Sequence, residues 1–365
     1  MSLLVRVPLG TAAFIAWLGV AFGSYNAPPP DDDLGLLSDP VAEFPLTGIS
    51  LYDGDLLAMP SQVAVVGDRI VLVDGFAERP VHVLDATSGT HVASFGRRGK
   101  GPGEFEWPRA VESAGSGNGG FWVFDAALSR LTLVEPDLWA SQPSSERVTL
   151  SVRGPAQVTN VIRIGENRLV AAGFFSDGRL GHFDGTGDYT GASGPLPVSA
   201  TEAPPGVLQH AYRGVLKSDP ARTRLVLANR HAGFLEVYGA DGESLRRIDG
   251  PFEFEPSFTV RMGERGPGLA TGDDLRFGYV DVATTKDLIY ALFSGRTRAG
   301  HPEDAVYGQA VHVFDWGGEL VSVLQLDADA MAIAVDEERS RLLTVRHLPT
   351  PAVLTYDLPA SLRDY

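Results

Sequence analysis

The chain has 365 residues, with 46 acidic against 30 basic side chains; the formal net charge of −16 argues against nucleic acid and anionic membrane surfaces as partners. There is no cysteine, which excludes disulfides, thiolate metal centres, cysteine nucleophiles and a lipidated N-terminal cysteine. With 42 glycines, 25 prolines and 44% apolar residues, the composition promises frequent turns around a sizeable packed core.

Residues 1–27 read as a secretory signal or N-terminal anchor. Arg6 precedes the apolar run 9–20, and Ala21 and Gly23 place small residues where a signal peptidase reads. The run is short for a membrane span of roughly 20 residues, and an uncleaved anchor is the alternative. Residues 28–40, with Pro28-Pro29-Pro30-Asp31-Asp32-Asp33, form an extended, charged linker. The folded region is expected at 41–365.

From residue 41 onward helical periodicity is nearly absent, and short apolar or alternating runs recur at regular intervals. First strands are expected at 62–66, 109–113, 158–164, 212–216, 279–283 and 331–335. Second strands follow at 69–74, 120–125, 168–172, 224–228, 288–292 and 341–345, and third strands at 81–85, 131–135, 180–184, 235–238, 311–315 and 353–357. Turns at Ser88-Gly89, Asp241-Gly242 and Gly317-Gly318 lead to fourth strands at 91–95, 245–248 and 320–324. The sixth unit lacks a fourth strand of its own, and the run 42–51 is expected to supply it. The fold class is therefore all-β, a six-bladed β-propeller of four-stranded antiparallel blades closed by an N-terminal strand. A two-domain sandwich is the competing architecture.

Several stretches carry a resemblance to known propellers. Asp74 to Arg79, then Pro80-Val-His-Val-Leu-Asp85 and Ser88-Gly89, resembles the NHL-type repeat, and Asp125 to Arg130 has the same spacing. Gly99-Lys-Gly-Pro-Gly-Glu-Phe105 with Pro108 is similar to that family's inter-blade connection. The stretch from Gly278 to Arg296 resembles the TolB-like six-bladed propellers of bacterial secreted and periplasmic proteins. The resemblance implies a six-bladed fold and an exported location, periplasmic or extracellular. It implies no single activity, because the fold hosts binding modules and unrelated enzymes.

Arginines recur beside the turns between second and third strands, at Arg79, Arg130, Arg179, Arg230, Arg296 and Arg346. A propeller gathers those turns at one end of its channel, where a partly basic ring could hold a carboxylate or phosphate. Arg79 and Arg130 are expected instead to pair with Asp74 and Asp125 as braces. That leaves Arg230, Arg296 and Arg346 as ligand candidates, free of paired carboxylates, with His231, His301 and His347 beside them. The excursion 294–309 adds Arg298, Glu303, Asp304 and Tyr307.

No Gly-x-Ser-x-Gly elbow, phosphate-binding Gly-x-x-x-x-Gly-Lys-Ser/Thr loop or His-Glu-x-x-His pattern occurs. No catalytic residue, metal or cofactor is assigned. The expected role is a monomeric, exported binding module for a protein or small anionic ligand. The alternative is a metal-dependent, lactonase-like hydrolase or lyase with its site in the channel, which requires at least three converging ligand side chains.

Overall fold

The computed structural model describes residues 41–115, 119–136, 147–264, 266–363 and 365. The expected signal segment and linker, 1–27 and 28–40, lie outside them. Two strands come first, β1 (Ala42–Leu46) and β2 (Ile49–Tyr52). Blade one is β3 (Gln62–Val66), β4 (Arg69–Val73), β5 (Val81–Asp85) and β6 (His91–Phe95). Blade two is β7 (Pro108–Ser113), β8 (Phe121–Asp125), β9 (Arg130–Val134) and β10 (Thr149–Ser151). Blade three is β11 (Val158–Ile164), β12 (Arg168–Gly173), β13 (Leu180–Asp184) and β14 (Tyr189–Ser193).

A short helix, α1 (Pro205–Ala211), precedes blade four, which is β15 (Gly214–Ser218), β16 (Arg224–Asn229), β17 (Phe234–Gly239) and β18 (Ser244–Asp249). A hairpin of β19 (Thr259–Gly263) and β20 (Gly266–Ala270) follows. Blade five is β21 (Tyr279–Thr284), β22 (Leu288–Phe293), β23 (Gly308–Asp315) and β24 (Leu320–Ala330). Blade six is β25 (Ala332–Asp336), β26 (Arg341–Arg346) and β27 (Ala352–Asp357), completed by β2.

Each blade is an antiparallel meander, and the six stand in a ring. Its packing logic is visible in β4. Side chains alternate between the two faces of a strand. Ile70 and Leu72 join Ala332, Ala334, Leu343 and Val353 between blades six and one, whereas Val71 and Val73 join Val111, Phe121 and Val123 between blades one and two. Both faces of the blade are covered, so Ile70, Val71, Leu72 and Val73 are all 0% exposed, and the second strands read as unbroken apolar runs. The other blade pairs share their own clusters in the same way.

Three expectations need correction. The run 42–51 does not act as one strand. Only β2 pairs antiparallel with β27 and closes the ring, while β1 pairs in parallel with β24 and gives blade five a fifth, outer strand. Thr47-Gly48 separates them, and Gly48 N–H reaches the Asp327 carboxylate. The first strand of blade four begins at Gly214 rather than Tyr212, because Tyr212 caps α1 and buries its ring with Phe234. The crossings into blades four and five hold α1 and the β19–β20 hairpin, which pattern reading misses because each is short and tethered by tertiary contacts.

Candidate functional site

Antiparallel pairing puts the start of each inner strand at the same end as the turn between strands two and three. In blade four Gly214 lies opposite Asn229, so Arg213 and Arg230 are neighbours, with Arg230 N–H donating to Arg213 C=O at 2.9 Å. In blade two the same end holds Arg109, next to Pro108, which pairs with Asp125. From blade five, Gly278 N–H donates to Arg230 C=O at 2.8 Å, which places Phe277 beneath the arginines. Arg230 and Arg298 lie over that ring at 5.8 and 5.7 Å.

Arg109, Arg213, Arg230 and Arg298 thus share one mouth of the channel. Among the described residues none of the four forms an ion pair. Burial in the wall lowers the affinity of the Arg109, Arg213 and Arg230 guanidiniums for their protons, and mutual repulsion adds to it at the latter two. Arg230 is pushed down from 12.5 to about 10. Asp281 faces Arg230, but its own burial raises its pKa, and one of its oxygens, Oδ1, has no partner. Arg213 Nε is likewise buried without an acceptor. On a chain of charge −16, this concentrates positive potential in one concavity.

His231 sits in the same group, 2% exposed and edge-on to Phe277 at 5.3 Å. Its Nδ1 lies 3.1 Å from the carbonyl of Ala211, the last residue of α1, so it donates there and caps the helix end. Burial and the neighbouring Arg213 and Arg230 push its pKa down to about 3, so the ring is neutral at physiological pH. Deeper in the ring, Lys217 of blade four reaches Gln62 Oε1 of the opposite blade one at 3.4 Å. That bridge crosses the axis and gives the mouth a floor. Glu112 lies nearby, its pKa raised by burial to about 7.

Residues 43–338 match the TolB-like 6-blade propeller-like family. The chain belongs to that family. No curated protein sequence matches this TolB-like propeller. Among solved structures it is similar to a DUF4221-family member from Bacteroides vulgatus (TM-score 0.55, 11% identity, 88% of this chain and 97% of that one). A Bacteroides fragilis protein carrying an export designation is also similar (TM-score 0.52, 10% identity, 87% and 99%), as is U3-55K (TM-score 0.50, 12% identity, 85% and 98%). At such identities the likeness shows the fold alone.

The propeller does not assemble the six expected ligand residues in one place. Arg230 and His231 lie in the arginine cluster. Arg296 is 5% exposed and holds Asp304 at 3.0 Å and Asp329 at 2.7 Å, with Gln309 at 3.1 Å, so it pins the 294–309 excursion and is not free of carboxylates. His301 meets Asp304 at 3.2 Å on the rim of an open cavity of about 370 Å³ with Glu303 and Leu348. His347 is buried between Tyr307 OH, 3.2 Å away, and Pro60 C=O. Arg346 turns to Thr350 C=O at 3.3 Å.

Among the described residues, Asp74 and Asp125 do not form the expected side-chain pairs with Arg79 and Arg130. The Asp74 carboxylate accepts the backbone N–H groups of Ala58, Met59, Phe76 and Ala77, and Asp125 does the same for Glu106, Trp107, Ala127 and Leu128. Arg130 instead donates to the carbonyls of Lys100, Gly101 and Glu104 and ties down the Gly-rich connection. Arg179 is 2% exposed and grips Glu236, Gln209, Asn229 and the Tyr212 carbonyl. Sequence reasoning missed Arg109 and Arg213 because it searched only the turns between strands two and three. The usable signal was an arginine at or just before an inner strand, in two blades. Among the described residues no three His, Asp or Glu side chains gather as a metal-holding group.

Proposed function

We propose that this protein is an exported binding module that recognises an anionic ligand at the arginine-bearing mouth of its ring. The observation that carries the reading is the set of four arginines, Arg109, Arg213, Arg230 and Arg298, gathered at one end of the ring without an ion-pair partner among the described residues, Arg213 and Arg230 half-buried and the other two exposed. Desolvating a guanidinium is costly unless an anion meets it, so a fold that half-buries Arg213 and Arg230 beside two more arginines is poised for one. The N-terminal pattern of Arg6 and the apolar run 9–20 supports export. The amide-capping Asp74 and Asp125 support an NHL-type ancestry for blades one and two.

The test is thermal unfolding and calorimetric titration with tricarballylate, a compact tricarboxylate. At a concentration hundredfold above its Kd it adds about 2.7 kcal/mol to the stability of the wild type. The double substitution Arg213→Gln/Arg230→Gln weakens the affinity about 100-fold or more, since each charge-assisted hydrogen bond is worth about 1.5–3 kcal/mol. An affinity that the double substitution leaves unchanged would remove the mouth as the site.

A further inference from the structure

The arginine cluster is not purely a set of donors. Besides Asp281 Oδ1, it contains a second buried acceptor with nothing to accept from, on His231. His231 Nδ1 must carry the ring proton, because its partner at 3.1 Å is the Ala211 carbonyl, which can only accept. The ring is neutral, for the burial and repulsion that lower its pKa to about 3 leave no second proton at physiological pH. Nε2 therefore presents a lone pair, is buried and has no hydrogen-bond partner, while Arg213 Nε a short way off is a buried donor without an acceptor. A simple anion satisfies the arginine and leaves the imidazole lone pair facing more negative charge. A molecule with both an anionic oxygen and an O–H group satisfies both.

We propose that the mouth binds a small hydroxylated polyanion, whose ionised carboxylate or phosphoryl groups are gripped by Arg109, Arg213, Arg230 and Arg298 while one of its hydroxyls donates to His231 Nε2. This rests on the anion-binding reading above and adds the chemical class of the ligand. Four guanidiniums with no ion-pair partner among the described residues, and only the buried Asp281 carboxyl facing Arg230, call for two or more negative charges in one molecule. The Lys217–Gln62 bridge across the axis limits the depth of the recess and favours a compact ligand over a threaded chain. An unsatisfied buried acceptor rejects an analogue that lacks the matching donor, so the hydroxyl is the feature on which selectivity turns.

The experiment titrates the full-length protein by calorimetry with two pairs matched in charge. Citrate is compared with tricarballylate, which lacks only its hydroxyl, and glycerol 3-phosphate with propyl phosphate. The hydroxylated member of at least one pair binds about three- to tenfold tighter, the span of one hydrogen bond. A preference confined to the carboxylate pair assigns the site to hydroxy acids, and one confined to the phosphate pair to phosphorylated polyols. In His231→Phe, which keeps an aromatic ring against Phe277, the preference within the pair disappears. The wild-type comparison stands even if this variant unfolds. Equal affinities within both pairs overturn the hydroxyl inference and leave anion binding intact. No binding of any of the four compounds overturns both.

Discussion

Replacing Arg230 by glutamine should make the protein more stable and a poorer binder of anions. The guanidinium is half-buried between Arg109 and Arg213, and its pKa falls from 12.5 to about 10. Each factor of ten in proton affinity is worth 1.36 kcal/mol, so the charged form penalises the fold by up to about 3 kcal/mol. Water in the channel mouth screens part of this, and the contact with Phe277 returns about 0.5–1 kcal/mol, leaving a net gain of about 1–2 kcal/mol for Arg230→Gln. The folded pKa is the lower one, so the penalty is present at every pH below about 10 and fades between there and 12.5. Urea midpoints at pH 7.5 measure it in 20 mM and 500 mM salt. The gain should shrink at high salt, where charges more than about 5 Å apart no longer repel, and the part due to burial should remain. With tricarballylate present the order reverses, because only the wild type is rescued by the ligand. A variant less stable than the wild type at low salt would refute the reasoning and mark Arg230 as a structural brace.

Two further substitutions test the frame around the site. Glu112 titrates at about 7 in the fold against 4.5 in the unfolded chain, so the folded state holds its proton longer and stability falls as pH rises between those values. Glu112→Gln should remove that slope and exceed the wild type by about 1–3 kcal/mol at pH 8, and parallel urea midpoints for both proteins at pH 5 and pH 8 would contradict it. Arg179→Met should cost about 3–5 kcal/mol, because Glu236 is left buried without its 2.7 Å partner and Gln209 and Asn229 lose their donor. Adding Glu236→Gln should recover part of the loss, and chemical unfolding of the single and double variants measures it.

The sequence by itself determined the ring. Strands buried on both faces must be apolar at every position, so 70–73, 169–172, 225–228 and 288–292 announce themselves locally, and the polar turns at Ser88-Gly89 and Gly317-Gly318 set the repeat. Charge balance and the empty cysteine inventory were equally local facts. Tertiary structure decided what the arginines do. Arg179, Arg230 and Arg296 occupy similar places beside their turns, yet Arg179 and Arg296 are neutralised by Glu236, Asp304 and Asp329, the first from the next blade and the last from beyond the excursion. Arg230 alone of the three is left beside other cations, because the ring brings Arg109 of blade two and Arg213 of its own blade to the same mouth. Likewise only the fold separates β1 from β2, since both read as strand and their partners β24 and β27 lie about 280 and 300 residues further along the chain. Whether a charge is a brace or a site depends on which neighbours the ring supplies, and those contacts are too distant in sequence for any local pattern to encode.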